Sequence, residues 1–588
     1  MSADAPTEYQ VAIIGSGPIG LTLANLLGQF GVRALIVEQN VTTVQEPRAV
    51  SIDDESLRTM QAAGVVDDVL KLIVPGYGSH YYSPTGLCFA KVEPTGRPYG
   101  YPRRNAFRQP VLEQQLKHAL ARFSHVNALY GWRLDSYEQT DRVTLHLTGP
   151  MRENRTIGCD FLVGCDGAAS TVREQLRIQL EGTTFDERWL ILDLENNENA
   201  TKHTEVFCDK RRPCITLPGP GRTRRFEFKL LPGEKDEDLL NNATVERLLR
   251  AHGADTRSAV RRKVVYRFHA RVAPRWSSGR VFLAGDAAHL TPPFAGQGMN
   301  SGVRDAHNLA WKLAAVLRRR AGPGLLDTYE SERKDHIWQM IRLALRMGKV
   351  MSPRTWLSGF ITQTAFLALT IWPPARDYVA QMKYKPPPRF HAGFLVPDAK
   401  SVRKTLVGRL IPQPTVTTQD GRGVLLDEAL GQGFVLLART AHPLRDFGKL
   451  TQPIWDRLGA ARVAVLPAGA QTRAVQGVVL VHEIDRALAD ALIAYQNCAL
   501  LLRPDHYVAA TIPFADPDGA AKAVEALLAR TWTEKPGLRT RVNKSPPSPH
   551  GEEPRSGVSN HEACAKTLVS FGKLRTGYRD ASFRRSSG

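Results

Sequence analysis

The sequence predicts an α/β protein of about three domains, and three observations support this fold class. An apolar run of strand length at 9–14 is followed by a glycine-rich turn, a helical pattern at 21–27 and a second apolar run at 31–37. Over 189–271 apolar and polar residues alternate, which is typical of antiparallel strands with one covered face. The length of 588 residues also exceeds what one hydrophobic core usually holds.

The glycines of the first turn have the spacing of a dinucleotide-binding fingerprint. Gly15 allows the tight turn, Gly17 lets a pyrophosphate approach the backbone, and Gly20 lets the helix pack on the strand. The helix N-terminus directs the positive end of its dipole at the phosphates. Glu38 ends the second strand, where a carboxylate can accept hydrogen bonds from ribose hydroxyls. Together these residues predict a Rossmann-like domain.

The composition is that of an ordinary globular protein, with 43% hydrophobic and 23% charged residues. The net charge of +20 raises the question of nucleic acid binding. Residues 539–588 account for +6 of that charge, and no long face interleaves aromatic with basic residues. We therefore expect no nucleic acid partner. The positive potential suits an anionic small molecule instead.

Cysteine usage and the apolar segments predict a cytoplasmic protein. The seven cysteines are scattered and lack CxxC or HxxC spacing, which argues against a disulfide framework or a zinc site and for a reducing compartment. No basic flank and apolar core precede Tyr9, so we expect no signal peptide. The longest apolar stretch, 360–372, is too short to span a bilayer. We predict no bound metal and no membrane span.

Further elements follow from periodicity along the chain. Helices are expected at 54–63, 111–122, 301–320, 325–350 and 520–529. Strands are expected within 77–101 and at 143–147, 161–165, 225–230, 264–269, 279–286, 433–438, 463–466 and 499–505. Pro-rich 386–389 predicts a linker. From 536 onward the lack of periodicity predicts a disordered tail.

Two further motifs follow buried strands. The first is Asp166-Gly167, and the second is Gly285-Asp286 followed by a turn rich in glycine and proline up to Asn300. Alone, each is a common turn or helix start. All three motifs in this order are hard to obtain by chance.

With these motifs the chain resembles the class A flavoprotein aromatic hydroxylases over about residues 9–345. The resemblance implies FAD as the cofactor, with its pyrophosphate on the first turn and its adenosine ribose on Glu38. It implies that Asp166 and Gly167 serve both FAD and the nicotinamide nucleotide, and that Asp286 holds ribitol or ribose hydroxyls. The remaining residues assigned to FAD by this match are Arg48, Arg108, Gln109, Gly285, Pro293, Gly296, Gly298, Met299 and Asn300.

The resemblance narrows to hydroxylases of 3-(3-hydroxyphenyl)propionate and 3-hydroxycinnamate. The segments that carry it are 47–49, 52–61, 102–107, 225–228 and 308–312. It implies non-covalent FAD, NADH as the electron donor, and insertion of one oxygen of O2 ortho to the phenol hydroxyl in aromatic-acid catabolism. Near the flavin this chain has Phe294-Ala295 and Met299 where bulkier aromatics are expected, so the pocket can differ in shape.

The resemblance also implies an interleaved domain order. The FAD-binding domain, of the glutathione-reductase type, is expected at 1–76, 104–182 and 272–350, and an antiparallel-sheet substrate domain at 77–103 and 183–271. A helical connection and linker at 351–398 lead to a thioredoxin-like domain at 399–535 without a redox CxxC, before the tail at 536–588.

For the substrate side the sequence offers candidates. A carboxylate substrate needs a cationic partner, best an arginine fork, and Arg225 is the first choice, ahead of Arg212 and Arg271. Tyr266 and His269 can relay the phenol proton. They stand on opposite faces of one regular strand, so at most one is expected in the pocket. His289 is expected to be structural.

Several alternatives remain open at this point. The substrate could be another phenol, a resorcinol or a polyketide aromatic. A flavin halogenase or plain flavin oxidoreductase is a second class, although the Trp-x-Trp-x-Ile-Pro motif of such halogenases is absent. A basic binding protein with a vestigial nucleotide fold is a third. The residues do not determine whether the donor is NADH or NADPH, which side chain deprotonates the phenol, or whether the chain forms a homo-oligomer.

Overall fold

The computed structural model describes residues 7–42, 48–254, 258–470 and 472–532. The predicted tail from 536 lies outside these residues. Within them the strands are, in chain order, β1 (Glu8–Ile14), β2 (Ala34–Glu38), β3 (Ser51–Asp53), β4 (Val74–Pro75), β5 (Ser79–Tyr82), β6 (Cys88–Val92), β7 (Arg104–Ala106), β8 (Val126–Tyr130), β9 (Arg133–Gln139), β10 (Val143–Thr148), β11 (Asn154–Gly164), β12 (Glu181–Glu195), β13 (Thr204–Phe207), β14 (Cys214–Pro218), β15 (Arg224–Lys229), β16 (Ala259–Val272), β17 (Ser277–Ser278), β18 (Val281–Leu283), β19 (His289–Leu290), β20 (Thr415–Thr418), β21 (Gly423–Leu425), β22 (Val435–Arg439), β23 (Ala461–Leu466), β24 (Val478–Glu483), β25 (Cys498–Leu502) and β26 (Val508–Pro513).

The α-helices are α1 (Pro18–Gln29), α2 (Asp54–Ala62), α3 (Val66–Lys71), α4 (Gln109–Ala119), α5 (Thr171–Gln175), α6 (Asp236–Leu240), α7 (Asn242–Ala251), α8 (Gly298–Leu317), α9 (Thr328–Met351), α10 (Trp356–Ile371), α11 (Pro373–Ala380), α12 (Leu426–Leu430), α13 (Pro443–Phe447), α14 (Pro453–Leu458), α15 (Ala487–Leu492) and α16 (Pro517–Leu528). None of these described helices combines the length and the apolar character needed to cross a lipid bilayer.

The N-terminal sheet brings the three motifs to one edge. Its central order is β17-β18-β11-β1-β2-β8, with β9 and β10 beside β11. The ladders β11–β18, β1–β11, β1–β2 and β2–β8 are all parallel, so their carboxyl ends meet on one side. Ligands of such sheets bind outside these carboxyl ends. The glycine-rich turn follows β1, Asp166 follows β11, Asp286 follows β18, and Glu38 is the last residue of β2. This explains why residues far apart in sequence share one site.

The second sheet has the order β19-β16-β12-β15-β14-β13-β5-β6. Its ladders are antiparallel except for β13–β5, which is parallel. On one face Phe226 and Phe228 pack against Leu239 of α6 and Leu248 of α7. The prediction of a single covered face was wrong, because β15 is buried on both sides from Arg224 to Phe228. The other face covers an internal cavity instead of meeting solvent.

Helix α8 begins three residues earlier than the pattern predicted. It spans Gly298–Leu317, whereas 301–320 was expected. Its first turn, Gly298-Met299-Asn300-Ser301, has a single apolar residue, so periodicity alone missed it. At its end Arg319 adopts φ 56°, a left-handed conformation that stops the helix.

The C-terminal sheet has the order β21-β20-β24-β23-β22-β25-β26 and its own hydrophobic core. Whether this region is thioredoxin-like stays a prediction. A buried ion pair connects it to α2: the Arg58 guanidinium donates two hydrogen bonds of 2.6 Å to the Asp427 carboxylate. Both side chains are at most 5% exposed.

A second buried network joins α8, α9 and the C-terminal region at Glu332. Its carboxylate accepts hydrogen bonds from Asn308 (2.6 Å), Lys312 (2.8 Å) and Arg503 (2.8 Å). Burial raises the pKa of Glu332, but the charges of Arg503 and Lys312 outweigh that effect and bring the pKa down to about 2. The ionised carboxylate therefore stabilises the folded state.

This depressed pKa predicts a defined acid dependence of stability. The contribution of Glu332 is fully present above the unfolded-state pKa, near 4.5, and is lost as the pH falls toward 2. Glu332→Gln should lower the free energy of unfolding by about 3 kcal/mol at pH 7. On acidification the free energies of unfolding of the wild type and the variant should become equal. Thermal unfolding midpoints of both proteins between pH 7 and pH 3 measure this. A difference that is independent of pH would contradict it.

Candidate active site

A cavity of about 490 Å³ lies between the carboxyl edge of the N-terminal sheet and the inner face of the second sheet. Fifteen of the residues predicted from the sequence line it: Gly15, Gly17, Glu38, Arg48, Gln109, Asp166, Gly167, Arg225, Tyr266, His269, Asp286, Pro293, Gly296, Gly298 and Met299. Residues from all three motifs therefore share one cavity with the substrate-side candidates.

The glycine-rich turn has the shape that a pyrophosphate requires. Gly15 has φ 104°, and a Cβ there would lie 2.5 Å from the Cys165 carbonyl oxygen. A Cβ at Gly20 would lie 2.0 Å from the Gly15 oxygen, so Gly20 serves helix packing and does not line the cavity. At Gly17 a Cβ would meet no atom within 4 Å. The backbone there faces open space at the N-terminus of α1, as a phosphate group needs.

The Glu38 carboxylate holds the turn as well as facing the cavity. One oxygen accepts a hydrogen bond of 2.8 Å from the Ser16 N–H, and the other accepts bonds of 2.9 and 2.7 Å from the backbone and side-chain nitrogens of Asn40. A carboxylate oxygen has two lone pairs, so the oxygen that accepts only the Ser16 N–H can still accept a bond from a ribose hydroxyl.

The two aspartates of the later motifs have different environments. Asp166 accepts hydrogen bonds from the Ser170 hydroxyl (2.5 Å) and the Val172 N–H (3.1 Å), which caps α5. Asp286 has no hydrogen-bond partner among the described residues. Burial raises the pKa of Asp286, while the charges of His289 and Arg48 act in the opposite direction. A carboxylate without a partner among the described residues, facing this cavity, fits the hydroxyl-rich ribityl chain of FAD.

The start of α8 closes the cofactor end of the cavity. Gly298 and Met299 line it at the helix N-terminus, directly after Pro293 and Gly296. The free N–H groups of such a terminus stabilise negative charge on a bound ring. His289 is fully buried and contacts Asp305 at 2.6 Å, in keeping with the structural role expected for it.

Three other predicted cofactor residues lie outside the lining. Gly285 has φ 61°, and its position packs against Ile19. The Arg108 guanidinium lies 3.5 Å from the Glu195 carboxylate. The Asn300 side chain is buried, where it accepts a bond from the Asp53 N–H (3.0 Å) and donates to the Gly296 oxygen (2.7 Å). These residues pack outside the cavity lining, and their contact with FAD stays a prediction.

Arg225 is buried and links strand β15 of the second sheet to the loop at Arg48, so it is not a surface residue. Its guanidinium donates to the Asp193 carboxylate (2.7 and 3.1 Å) and to the Arg48 backbone oxygen (2.9 Å). Gln109 fixes the same loop, since its side-chain oxygen accepts the Arg48 and Ala49 N–H groups (3.2 and 2.7 Å). Arg225 therefore connects the substrate-side sheet to the cofactor loop. The other arginine candidates, Arg212 and Arg271, do not line the cavity.

The expectation that only one of Tyr266 and His269 faces the pocket was wrong, because both line the cavity. The β12–β16 ladder is irregular opposite Phe268, where Thr184 and Arg188 are successive partners on β12. Such irregularities bend and twist a strand pair, so simple alternation no longer fixes the faces. His269 Nδ1 lies 3.2 Å from the Thr184 hydroxyl.

Several polar residues that line the cavity were not predicted from the sequence, among them Arg104, Thr204, Glu227 and Lys385. Arg104 is on the three-residue strand β7, which is too short to show alternation. Glu227 is two residues from Arg225 and shares its face, a signal that was available in the alternating pattern of β15. Lys385 follows a helix and belongs to no periodic segment.

Two clusters of metal-ligand types also occur among the described residues, although no metal spacing was recognised in the sequence. In the first, Asp53, Asp54 and Glu55, carboxylates pair with Lys385 (2.8 and 3.0 Å) and Arg304. In the second, His80, Glu93 and His203 come together. There His203 Nδ1 accepts the Gly78 N–H at 2.9 Å, so a neutral ring carries its proton on the nitrogen that faces Glu93.

Comparisons with known proteins support the cofactor assignment. The model of the family described as "FAD binding domain" matches residues 8–344, and that of the "HcaD C-terminal domain" matches residues 408–530. A 3-(3-hydroxy-phenyl)propionate/3-hydroxycinnamic acid hydroxylase of Klebsiella pneumoniae subsp. pneumoniae is 39% identical over 506 residues, covering 85% of this chain and 91% of that protein. A hydroxylase of the same name from Escherichia coli (strain SMS-3-5 / SECEC) is 38% identical over 544 residues, covering 91% of this chain and 97% of that protein.

Solved structures show the same fold. A ternary complex of aklavinone-11 hydroxylase with FAD and aklavinone has a TM-score of 0.71 at 25% identity and covers 89% of this chain and 99% of that one. The flavin-dependent monooxygenase PieE has a TM-score of 0.73 at 23% identity over 90% of this chain and 100% of that one. The resemblance inferred from the motifs is confirmed, and the chain belongs to the family of FAD-dependent aromatic hydroxylases.

Proposed function

We propose that this hydroxylase uses NADH and O2 to convert 3-(3-hydroxyphenyl)propionate, and also 3-hydroxycinnamate, to the 2,3-dihydroxyphenyl products. FAD is bound non-covalently. The main support is the cavity, which runs from the cofactor motifs to a sheet face with apolar Ile215 and Leu217. Cationic Arg104 of β7 also lines this cavity and donates a hydrogen bond to Ser79 on β5 of that sheet. The printed names of the relatives at 39% and 38% identity point to the same substrates.

The described residues suit FAD in one orientation. The turn at Gly17 would hold the pyrophosphate, Glu38 the adenosine ribose and Asp286 the ribityl chain, and the N-terminus of α8 would face the ring. When bound, FAD supplies the redox chemistry that links the nicotinamide nucleotide, O2 and the aromatic ring. The helix N-terminus, at Gly298 and Met299, stabilises negative charge at the pyrimidine end of that ring.

The protein must also orient the phenol, exclude water and accept a proton. Phe294 and Met347 pack against the apolar cluster that contains Ile215, and they give the cavity an apolar wall that excludes water. Burial, together with the charges of nearby arginines, lowers the pKa of His269, so the ring is neutral at pH 7 and can accept the phenol proton. Burial raises the pKa of Glu227, which makes its carboxylate a second acceptor in the cavity.

A neutral polyketide aromatic is the competing substrate class, because aklavinone-11 hydroxylase shares the fold. The charge of the cavity favours an acid. Arg104 lines it without a carboxylate partner among the described residues, and a neutral polycycle would leave that cation uncompensated. The six described cysteines are free, which suits the reducing cytoplasm.

Purified protein tests the proposed reaction directly. We expect a yellow protein that releases its flavin on heat or acid precipitation, and NADH consumption that rises with 3-(3-hydroxyphenyl)propionate and yields the 2,3-dihydroxyphenyl product by mass spectrometry. NADPH, 3-hydroxycinnamate, phenol, resorcinol and an aromatic polyketide provide the comparison. Hydroxylation of resorcinol or the polyketide in preference to the phenolic acids would contradict the proposed substrate. Faster oxidation of NADPH than of NADH would contradict the proposed electron donor. Flavin in the pellet would contradict non-covalent binding.

A further inference from the structure

Arg104 is a cationic side chain of the cavity that is bound only by neutral groups. It lies on β7 and donates hydrogen bonds to the Ser79 hydroxyl and, at 3.2 Å, to the Tyr77 hydroxyl. Its guanidinium also stacks over the Tyr77 ring, 4.4 Å from the ring centre. An arginine keeps its charge in any such environment. The described residues thus hold a guanidinium in place without neutralising it.

The other cations of the lining are Arg48, Arg133, Arg225 and Lys385. Three of these are in ion pairs: Arg133 with Asp135 (2.9 Å), Arg225 with Asp193 (2.7 Å) and Lys385 with Glu55 (2.8 Å). Arg48 lies at the cofactor end, where its charge acts on Asp286. On the substrate side of the described cavity, Arg104 is therefore the cation left for an anionic ligand.

A second, independent observation lies beside it. Thr204 is 3% exposed and lines the cavity, and its hydroxyl has no hydrogen-bond partner among the described residues. Its strand β13 pairs with β5 so that Thr204 stands directly opposite Ser79, the residue to which Arg104 donates. A buried hydroxyl without a partner costs about 1–3 kcal/mol. A ligand oxygen at this point would remove that cost.

We propose that Arg104, Ser79 and Thr204 form the subsite for the carboxylate of the substrate's aliphatic side chain. This inference rests on the proposed function, which it deepens by assigning the carboxylate to β5, β7 and β13 and not to Arg225. A carboxylate accepts bonds from the guanidinium fork and from both hydroxyls at once. The ligand class is therefore a phenol with a short acidic chain.

The sheet register supports this assignment by distance. Thr204 on β13 and Arg225 on β15 flank β14, which carries Ile215 and Leu217 in the lining. Two strand spacings amount to about 10 Å, the scale of a phenol ring with a three-carbon acid chain. With the carboxylate at Thr204, the ring lies over β14 and its hydroxyl points toward Glu227 on β15.

Binding measurements with matched ligands test the subsite. The holoenzyme is titrated with 3-(3-hydroxyphenyl)propionate and with its neutral amide, and the change in flavin absorbance is followed. The wild type should bind the acid at least 10-fold more tightly than the amide. Arg104→Gln should weaken the acid by about 10- to 100-fold and leave the amide little changed. The affinity of Arg104→Lys for the acid should lie between those of the wild type and Arg104→Gln.

The control is Arg212→Gln, a cation outside the cavity that pairs with Glu234 and should leave the acid-to-amide ratio unchanged. Thr204→Val keeps the side-chain shape and should weaken binding of the acid several-fold. This variant tests the subsite if Arg104→Gln fails to retain FAD. The subsite would be overturned if the wild type bound the acid and the amide equally well. It would also be overturned if the Arg104→Gln holoenzyme kept the wild-type ratio of acid to amide affinity. Discriminating binding without hydroxylation would instead overturn the proposed function and leave the subsite standing.

Discussion

Asp286→Ala is expected to abolish FAD retention during purification, with a larger loss than Glu38→Ala. The Asp286 carboxylate lines the cavity and has no hydrogen-bond partner among the described residues, so its bonding capacity is left for the cofactor. Each charge-assisted hydrogen bond that is lost costs about 1.5–3 kcal/mol, and two such bonds from one carboxylate weaken binding by about 10²- to 10⁴-fold. Glu38 already has three protein donors and serves the adenosine end.

The measurement is the FAD dissociation constant of each apoprotein after reconstitution, by quenching of flavin fluorescence. Asp286→Asn is the matched variant, because it keeps the shape and one acceptor oxygen but removes the charge. We expect it to lie between the wild type and Asp286→Ala. Equal dissociation constants for the Ala variants of Asp286 and Glu38 would refute this ranking.

Substrate is expected to accelerate NADH oxidation strongly, and Arg225→Ala to lose that stimulation or to divert it to hydrogen peroxide. Arg225 joins β15 of the substrate-side sheet to the Arg48 backbone oxygen on the cofactor loop. A ligand on that sheet can thus bias the loop between two states. Each tenfold change in their ratio requires about 1.4 kcal/mol of differential affinity.

Anaerobic stopped-flow of flavin reduction, with and without 3-(3-hydroxyphenyl)propionate, measures the stimulation, and peroxide assays measure the coupling. Removing one partner of a buried pair costs about 3–5 kcal/mol, so FAD content and thermal unfolding are checked first. Arg225→Lys keeps the charge and shows whether the bidentate geometry matters. Equal reduction rates with and without substrate would exclude gating. An Arg225→Ala enzyme that reduces and couples like the parent would exclude a role for this link.

The sequence by itself determined the cofactor half of the protein. The fingerprint at Gly15, Gly17 and Gly20 and the later motifs at Asp166 and Asp286 are contiguous segments, each of which closes a turn after its own strand. Their chemistry depends on local backbone geometry, which nearby residues dictate. The common site was predicted through the family resemblance that these motifs carry, and the fold explains it, since parallel strands bring their carboxyl ends to one edge.

Only the tertiary structure decided the substrate half. The exposure of Tyr266 and His269 to one cavity depends on an irregularity in a ladder with β12, and the pairing of Arg225 with Asp193 depends on strand register. Arg104 and Thr204 come from strands about 100 residues apart that meet through β5. Whether a charge is neutralised is set by such long-range partners. A single sequence contains the residues but not their pairing, so it could not separate a structural arginine from a ligand-binding one.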